Sequence, residues 1–196
     1  MTTTRLEAFS DAVIAIIMTI MVLELKIPHG ADMAALRATA PAFVAYLVSF
    51  VYLGIYWNNR HHMLQATEQV SGGILWANSH LLFWLSLVPA TTAWVGENPT
   101  ASLPAAVYGI VLLCAAIAYT ILQRCIIAFE GADSVLATAV GRDLKGRVSP
   151  VLYVAAIPLA FVRPWISYTL FVVVAMLWLV PDRRIEHRLN EASSTR

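Results

Sequence analysis

The chain consists mainly of long runs of apolar residues, which are separated by short polar segments. A helix that crosses a bilayer needs about 20 predominantly apolar residues, and six runs approach or exceed that length. The pattern therefore predicts an all-α integral membrane protein, with six transmembrane helices in one bundle per chain. The predicted spans cover residues 5–27, 41–59, 73–95, 103–129, 148–162 and 164–180.

Polar residues and prolines mark the ends of these predicted spans. Thr4 and Glu7 have the spacing of a capping box at the start of the first helix, and Pro28 stops that helix. Pro89 falls in the later half of the third span, and Pro158 is expected to kink the fifth. The first run is too long for a signal peptide and lacks a small-residue cleavage site, so we expect it to remain as a helix.

Composition supports a membrane protein and argues against other classes. The 196 residues are 59% hydrophobic and 13% charged, with a mean hydropathy of +0.70, whereas soluble domains average about 45–50% apolar and about 25% charged. A net charge of +1 offers no basic surface to nucleic acid. Cys114 and Cys125 lack disulfide or metal-ligand spacing. Because nucleophile-elbow, P-loop and dinucleotide motifs are also missing from the sequence, we expect neither an enzyme nor a cofactor.

Positive charge orients the predicted bundle. If the N-terminus is cytoplasmic, ten Lys and Arg residues fall on the cytoplasmic side and three on the outer side, which accounts for all thirteen. The positive-inside rule favours this orientation, and six spans then place both termini in the cytoplasm. The cytoplasmic set is Arg5, Arg60, Arg124, Arg142, Lys145, Arg147, Arg183, Arg184, Arg188 and Arg196, and the outer set is Lys26, Arg37 and Arg163. We expect one membrane domain over residues 1–181, a solvated connector at 130–146 and a charged cytoplasmic tail at 182–196.

Ionisable residues open the first predicted helix. Arg5 fits the cytoplasmic headgroup region, but Asp11 lies nearly two turns inside, about 9–10 Å along the axis. An ionised carboxylate there needs a partner, and the sequence predicts a buried polar network that joins three helices. The candidate partners on the same side of the membrane are His61, His62, Asn78 and His80.

A stripe of apolar residues continues along the same helix. Ile16, Ile20, Leu23 and Ile27 recur at the spacing of one helical face, and Thr19 lies at its margin. In most membrane bundles such a stripe is packing between helices, and the residues by themselves favour that interpretation. The alternative is a pore, because apolar constrictions can gate by dewetting and the Thr19 hydroxyl would meet an ion between them.

The start of the chain resembles a known family. Arg5, Phe9, Ser10 and Asp11 form the pattern R-x-x-x-F-S-D, similar to the signature that opens the first helix of the transmembrane protein 175 family, which are potassium-permeable channels of lysosomes and bacteria. The similarity continues through A-I-I-M-T-I-M-V-L-E-L in the first span and W-N-N-R-H-H at the end of the second. It also includes L-W-A-N in the third span, followed by Pro89.

The resemblance implies roles for two groups of residues. The first helix should line the pore, with Ile16 as its narrowest apolar ring, Ile20 and Leu23 continuing the constriction, and Thr19 contributing to cation preference. A hydrogen-bonded network should stabilise this helix. The network implied by the resemblance consists of Arg5, Phe9, Ser10, Asp11, His61, His62, Trp76 and Asn78.

The resemblance also implies an assembly. Animal members have two six-helix repeats per chain and pair as dimers, whereas this chain has one repeat, as bacterial members do. Four copies should therefore surround one pore as a homotetramer in the bacterial inner membrane, with K⁺ as the permeant ion. The chain contains no T-V-G-Y-G filter, so we expect modest selectivity without a cage of carbonyls. A proton-coupled secondary transporter using Asp11 and a histidine, and a non-conducting scaffold, remain alternatives, although the chain lacks the inverted repeats of many transporters.

Overall fold

The computed structural model describes residues 2–65, 67, 69–131, 134, 136–137 and 144–179, and within these residues the regular structure is helical, with no strand. Five helical segments are long and apolar enough to cross a membrane, if α3 and α4 are taken together, and α7 is a shorter apolar helix of 16 residues. The predicted all-α membrane architecture is confirmed, and α7 corresponds to the sixth predicted span of 164–180. The helices are α1 (Thr3–Leu23), α2 (Met33–Gln65), α3 (Gly72–Ser86), α4 (Val88–Glu97), α5 (Ser102–Glu130), α6 (Leu144–Val162) and α7 (Pro164–Leu179).

The capping box expected at the start of α1 is not formed. The helix begins at Thr3 after Thr2, whose side chain makes no capping hydrogen bond, so Thr4 already lies inside the helix. Glu7 cannot cap from that position, and its carboxylate instead contacts the neighbouring helix α2. The capping prediction was wrong because a tertiary partner takes the carboxylate.

Helix α2 starts earlier and ends later than the predicted span of 41–59. Asp32 caps its start, where the Asp32 side chain accepts a hydrogen bond of 2.8 Å from the backbone N–H of Ala35. Pro41 therefore lies inside the helix rather than at its first turn. The helix continues past Asn59 to Gln65, and two polar side chains of this last part, Arg60 and His61, have partners on α1.

A break at Leu87 divides the third span into α3 and α4. Pro89 follows the break and has no N–H to continue the helical hydrogen-bond ladder. Beyond it, α4 packs closely on α2: a Cβ added to Gly96 would lie only 2.8 Å from the Cα of Ala42. Glycine at this position lets the two backbones meet, and the contact holds α4 beside the first half of α2.

Helix α5 is the centre of the bundle and packs against α3, α4, α6 and α7. Its bounds agree with the predicted span of 103–129 to within one residue, and it ends at Gly131, whose φ of 103° suits glycine. Helix α6 begins before the predicted residue 148 and contains Pro150 and Pro158. Most of the connector at 130–146, Val180 and the tail at 182–196 lie outside the described residues.

Candidate functional site

Helix α1 has one face inside the chain and one face outside it. It packs on α2, α3 and α4 through Leu6, Ser10, Ile14, Ile17 and Met21, all of which are buried. The opposite face is apolar and exposed. Its members are Phe9, Ile16, Ile20 and Leu23, with Thr19 beside them.

The exposed face of α1 includes the stripe that the sequence singled out. Ile16 is 58% exposed and Leu23 is 77% exposed in the single chain. Ile27 lies past the end of α1 and is exposed as well. Packing inside one chain is therefore not the role of this stripe, although the residues by themselves favoured it. The stripe is free to meet lipid, another copy or a pore.

Thr19 is the one hydroxyl on this exposed face of α1. Its Oγ1 donates a hydrogen bond of 2.8 Å to the carbonyl oxygen of Ala15, one turn earlier. Because the hydroxyl proton is used within the helix, the oxygen lone pairs remain available on the outer side. The geometry suits contact with a cation rather than with an anion.

The opposite side of α1 is anchored to α2 by an ion pair. A guanidinium nitrogen of Arg60 donates to Oδ1 of Asp11, and the same oxygen accepts a hydrogen bond of 3.0 Å from the indole N–H of Trp57. The Arg60 side chain is fully buried, with 0% exposure, whereas Asp11 is partly exposed. Asp11 therefore provides the negative charge for a guanidinium that is removed from water.

A second contact lies one helical turn closer to the chain start. Nδ1 of His61 on α2 contacts Oε1 of Glu7 on α1. The His61 ring stacks on the Trp57 indole, with ring centroids 6.0 Å apart and planes inclined by 17°, and its Nε2 contacts the Gln65 amide at 2.9 Å. This contact fixes the histidine ring between its neighbours on α2 and the first turns of α1.

A third contact links α1 to α3. The Ser10 hydroxyl donates 2.7 Å to the Leu6 carbonyl and accepts a hydrogen bond of 2.9 Å from the side-chain amide of Asn78. Ser10 and Asn78 are both fully buried. Unsatisfied polar groups are costly in such surroundings, so this pair favours one fixed arrangement of α1 on α3.

These three contacts lie close together along α1; two of them use one face of α2, and the third reaches α3. Glu7 and Asp11 are four residues apart on α1, while Trp57, Arg60 and His61 fall within about one turn of α2. Because the two helices run in opposite directions, the earlier residue on α1 meets the later residue on α2. We call this set the α1 anchor; it consists of Glu7, Ser10, Asp11, Trp57, Arg60, His61 and Asn78.

The structure differs from the expected network at Asp11. The candidate partners were His61, His62, Asn78 and His80, but Asp11 pairs with Arg60 and Trp57. His61 pairs with Glu7 instead. The geometric reason is the helical spacing: Arg60 lies level with Asp11 along the helix pair, and His61 lies level with Glu7. Arg60 was counted among the cations of the cytoplasmic side, and its side chain is buried within the bundle.

Other residues of the expected network lie away from it. Trp76 is 80% exposed, Phe9 is on the outer face of α1, and the exposed Arg5 side chain has no hydrogen bond or ion pair within the described structure. His62 touches the His61 ring edge, with centroids 5.6 Å apart. His80 accepts a hydrogen bond of 2.9 Å from Trp84 and does not reach Asp11.

Glu7, Trp57 and Arg60 are the anchor residues that the sequence argument missed. Their spacing was the available signal, since Glu7 precedes Asp11 by four residues and Arg60 follows Trp57 by three. Two acidic positions on one helix face and a cation with an aromatic donor on another predict such pairing. Over the part of the chain that the structure describes, no group of three His, Cys, Asp or Glu residues is placed to hold a metal ion.

The sequence matches a family described as endosomal/lysosomal potassium channel TMEM175 over residues 5–89. This stretch contains α1, α2, α3 and the start of α4, and with them the whole α1 anchor and the exposed stripe. A potassium channel from a Chryseobacterium species is 52% identical over 191 residues, which cover 97% of this chain and 100% of the relative. A potassium channel from Chamaesiphon minutus is 31% identical over 189 residues, which cover 89% of this chain and 92% of the relative.

The fold is also similar to that of a solved structure. The crystal structure of a lysosomal potassium-selective channel TMEM175 homologue from Chamaesiphon minutus superposes with a TM-score of 0.79. The two chains are 29% identical, and the similarity covers 91% of this chain and 96% of that chain. Sequence and structure therefore agree along nearly the full length of both molecules.

Proposed function

The chain belongs to the TMEM175 family of channels, and on that premise we propose that it is a K⁺-permeable channel whose pore is lined by α1. The family consists of ion channels rather than enzymes, and the apolar helices make the chain a multi-pass membrane protein. The observation that carries the proposal is the two-sided α1, which is anchored by polar contacts on one side and presents a free apolar stripe on the other.

Four copies would bring their α1 helices together around one axis. The chain has a single six-helix repeat, and one copy leaves the stripe of Ile16, Ile20 and Leu23 uncovered. The exposed α1 faces of several copies are needed to form a pore, because one helix face cannot enclose an ion path. A homotetramer with fourfold rotational symmetry is a closed ring and places four equivalent α1 faces around one axis. Permeation would then need no cofactor, and K⁺ would be the conducted ion.

Ile16 would form the narrowest part of the path. Rings of branched apolar side chains exclude water when they approach closely, and a pore can gate by this dewetting. Ile20 and Leu23 lie one and two turns further along the same face and would lengthen the constriction. Selectivity would arise without a cage of backbone carbonyls, and we expect the preference for K⁺ over Na⁺ to be modest.

Thr19 would give the constriction its preference for cations. Its hydroxyl proton is donated to Ala15, so four Thr19 oxygens would present lone pairs to a passing ion. Such a ring replaces part of the hydration shell of a cation and offers no donor to an anion. The position between Ile16 and Leu23 places this contact inside the apolar region, where an ion has lost much of its water.

The α1 anchor would hold the pore helix in place on the side that faces away from the pore. It binds α1 to α2 through Asp11 and Arg60 and to α3 through Ser10 and Asn78. All its members lie in the part of the bundle that we propose is cytoplasmic, with both chain termini on that side. The anchor touches no ion in this arrangement and sets the rotation of α1, which decides which residues face the axis.

Recording from the purified protein in planar bilayers under K⁺ and Na⁺ gradients tests the proposal. We expect discrete unitary currents that reverse nearer the K⁺ equilibrium potential than that of Na⁺, together with a tetrameric mass in detergent. Saturable flux without unitary steps would indicate a transporter, and no flux would indicate a scaffold. Either of these results would overturn the proposed channel function.

A further inference from the structure

A cavity of about 500 Å³ opens between α2 and α7, near the ends where these two helices begin. Its volume is in the range of small-molecule binding sites, about 300–1,000 Å³. Its walls are predominantly apolar, and exposed side chains such as Val44 and Trp165 form its rim. It lies behind the candidate pore face, since no residue of α1 contributes to its lining.

Two of the lining residues, Tyr108 and Phe171, take part in polar contacts with residues outside the lining. The Tyr52 hydroxyl donates a hydrogen bond of 2.6 Å to the Phe171 carbonyl and ties α2 to α7. The Ser49 hydroxyl contacts the hydroxyls of Tyr108 at 2.8 Å and Thr92 at 2.7 Å. These groups are satisfied by each other, so the cavity beyond them is left for an apolar occupant.

Two polar groups of the lining have no partner. Arg37, one turn into α2, is exposed and makes no ion pair with the residues that the structure describes. The hydroxyl of Tyr168 is buried and has no hydrogen-bond partner there. The Arg37 cation at one end of an apolar cavity matches an amphiphile with an anionic head.

We propose that this cavity binds an anionic phospholipid. One acyl chain would fill the apolar space between α2 and α7, and the phosphate would pair with the Arg37 guanidinium, whose planar donors suit phosphate oxygens. Trp165 in the first turn of α7 is 64% exposed, and tryptophan is typical of the headgroup level, where such a lipid would enter.

Native mass spectrometry of the detergent-purified protein, titrated with dioleoyl phosphatidylglycerol or dioleoyl phosphatidylcholine, tests this site. We expect one tightly bound phosphatidylglycerol per chain and weaker binding of the zwitterionic lipid. Arg37→Gln should lower the affinity for phosphatidylglycerol by about tenfold, because a charge-assisted contact is lost, and should lower the affinity for phosphatidylcholine by less, because its choline cation offsets the phosphate charge. Arg163→Gln is the matched control, since Arg163 is an exposed cation between α6 and α7 that does not line the cavity.

A second pair of variants tests the apolar part of the site. Val172 lines the cavity and its neighbour Val173 does not, although each is 42% exposed. Val172→Trp should fill the space and displace the bound lipid, whereas Val173→Trp should keep it. Equal lipid binding by both variants would overturn the proposal. Loss of the oligomer in Val172→Trp with lipid binding unchanged would assign the cavity to a subunit interface instead, and would also overturn it.

Discussion

Asp11 on α1 forms an ion pair with Arg60 on α2, and the Arg60 side chain is completely buried. Burial of a guanidinium is tolerated only when an opposite charge and hydrogen bonds replace the lost water. Asp11 supplies both to Nη2 of Arg60 alone, while Nε and Nη1 of Arg60 are buried and have no hydrogen-bond partner in the described structure. The pair therefore fixes α1 on α2 at one rotation, and this rotation turns Ile16 outward.

Asp11→Ala should destabilise the folded chain by about 3 kcal/mol, the lower end of the effect for buried pairs because Asp11 is partly exposed. The reason is that the variant leaves the Arg60 charge buried and unpaired. Equilibrium unfolding in detergent titrated with dodecyl sulfate measures the change. The double variant Asp11→Leu with Arg60→Met should recover most of the loss, because it removes both charges. A double variant less stable than Asp11→Ala would contradict this account of the pair.

Asp11→Ala should also leave ion preference nearly unchanged in those channels that assemble, because the carboxylate lies on the anchored side of α1. Reversal potentials in K⁺ and Na⁺ gradients measure the preference. A stable tetramer with inverted selectivity would show that Asp11 acts on the ion directly.

Glu7→Gln should destabilise the chain far less than Asp11→Ala, by about 0.2–1 kcal/mol. Both Glu7 and His61 are partly exposed, and glutamine keeps an oxygen that can accept a hydrogen bond from the His61 ring. The same unfolding titration compares the two variants. If Glu7→Gln proves as damaging as Asp11→Ala, the first turns of α1 depend on this charge more than its exposure implies.

Ile16→Asn should wet the constriction, and we expect a larger unitary conductance or a lower K⁺ over Na⁺ permeability ratio. Ile16→Leu is the control, because it keeps an apolar side chain of similar volume at the same position. Bilayer recordings of both variants separate the effect of polarity from that of size. Unchanged currents in Ile16→Asn would remove Ile16 from the narrow part of the pore.

Glu24→Gln should reduce K⁺ conductance at low salt. Glu24 is exposed and follows Leu23 directly at the end of α1, so a tetramer would carry four carboxylates at the mouth of the path and attract cations there. At high salt, screening should abolish the difference in K⁺ conductance between the wild type and Glu24→Gln, because the Debye length falls from about 10 Å at 0.1 M to about 3 Å at 1 M. A loss of conductance that is equal at both salt concentrations would argue against this charge effect.

The spans were predictable because apolar runs of membrane length leave few alternatives, as the close agreement for α5 illustrates. Side-chain pairing was harder to predict. His61 and Arg60 are adjacent in sequence, and which of them reaches Asp11 depends on the rotation and depth of α2. Those depend in turn on the helix starting at Met33, capped by Asp32, rather than at Pro41, where the predicted span began. The sequence could not predict which side of α1 is exposed. Ile16 and Ile17 are chemically identical, and only the packing of α1 on its neighbours decides that Ile16 is exposed and Ile17 is buried.

Silver block of Ile16→Cys channels tests whether Ile16 on α1 faces the pore. The channels are made in a background with Cys114 and Cys125 replaced by alanine. Silver ions bind thiolates, so a cysteine that faces the conduction path should trap them there. Val154→Cys is the matched control, because Val154 on α6 is 56% exposed in the single chain and Ile16 is 58% exposed. We predict rapid, irreversible loss of current in Ile16→Cys and none in Val154→Cys. Currents of Ile16→Cys that persist in silver, or equal block of both variants, would contradict a pore lined by α1.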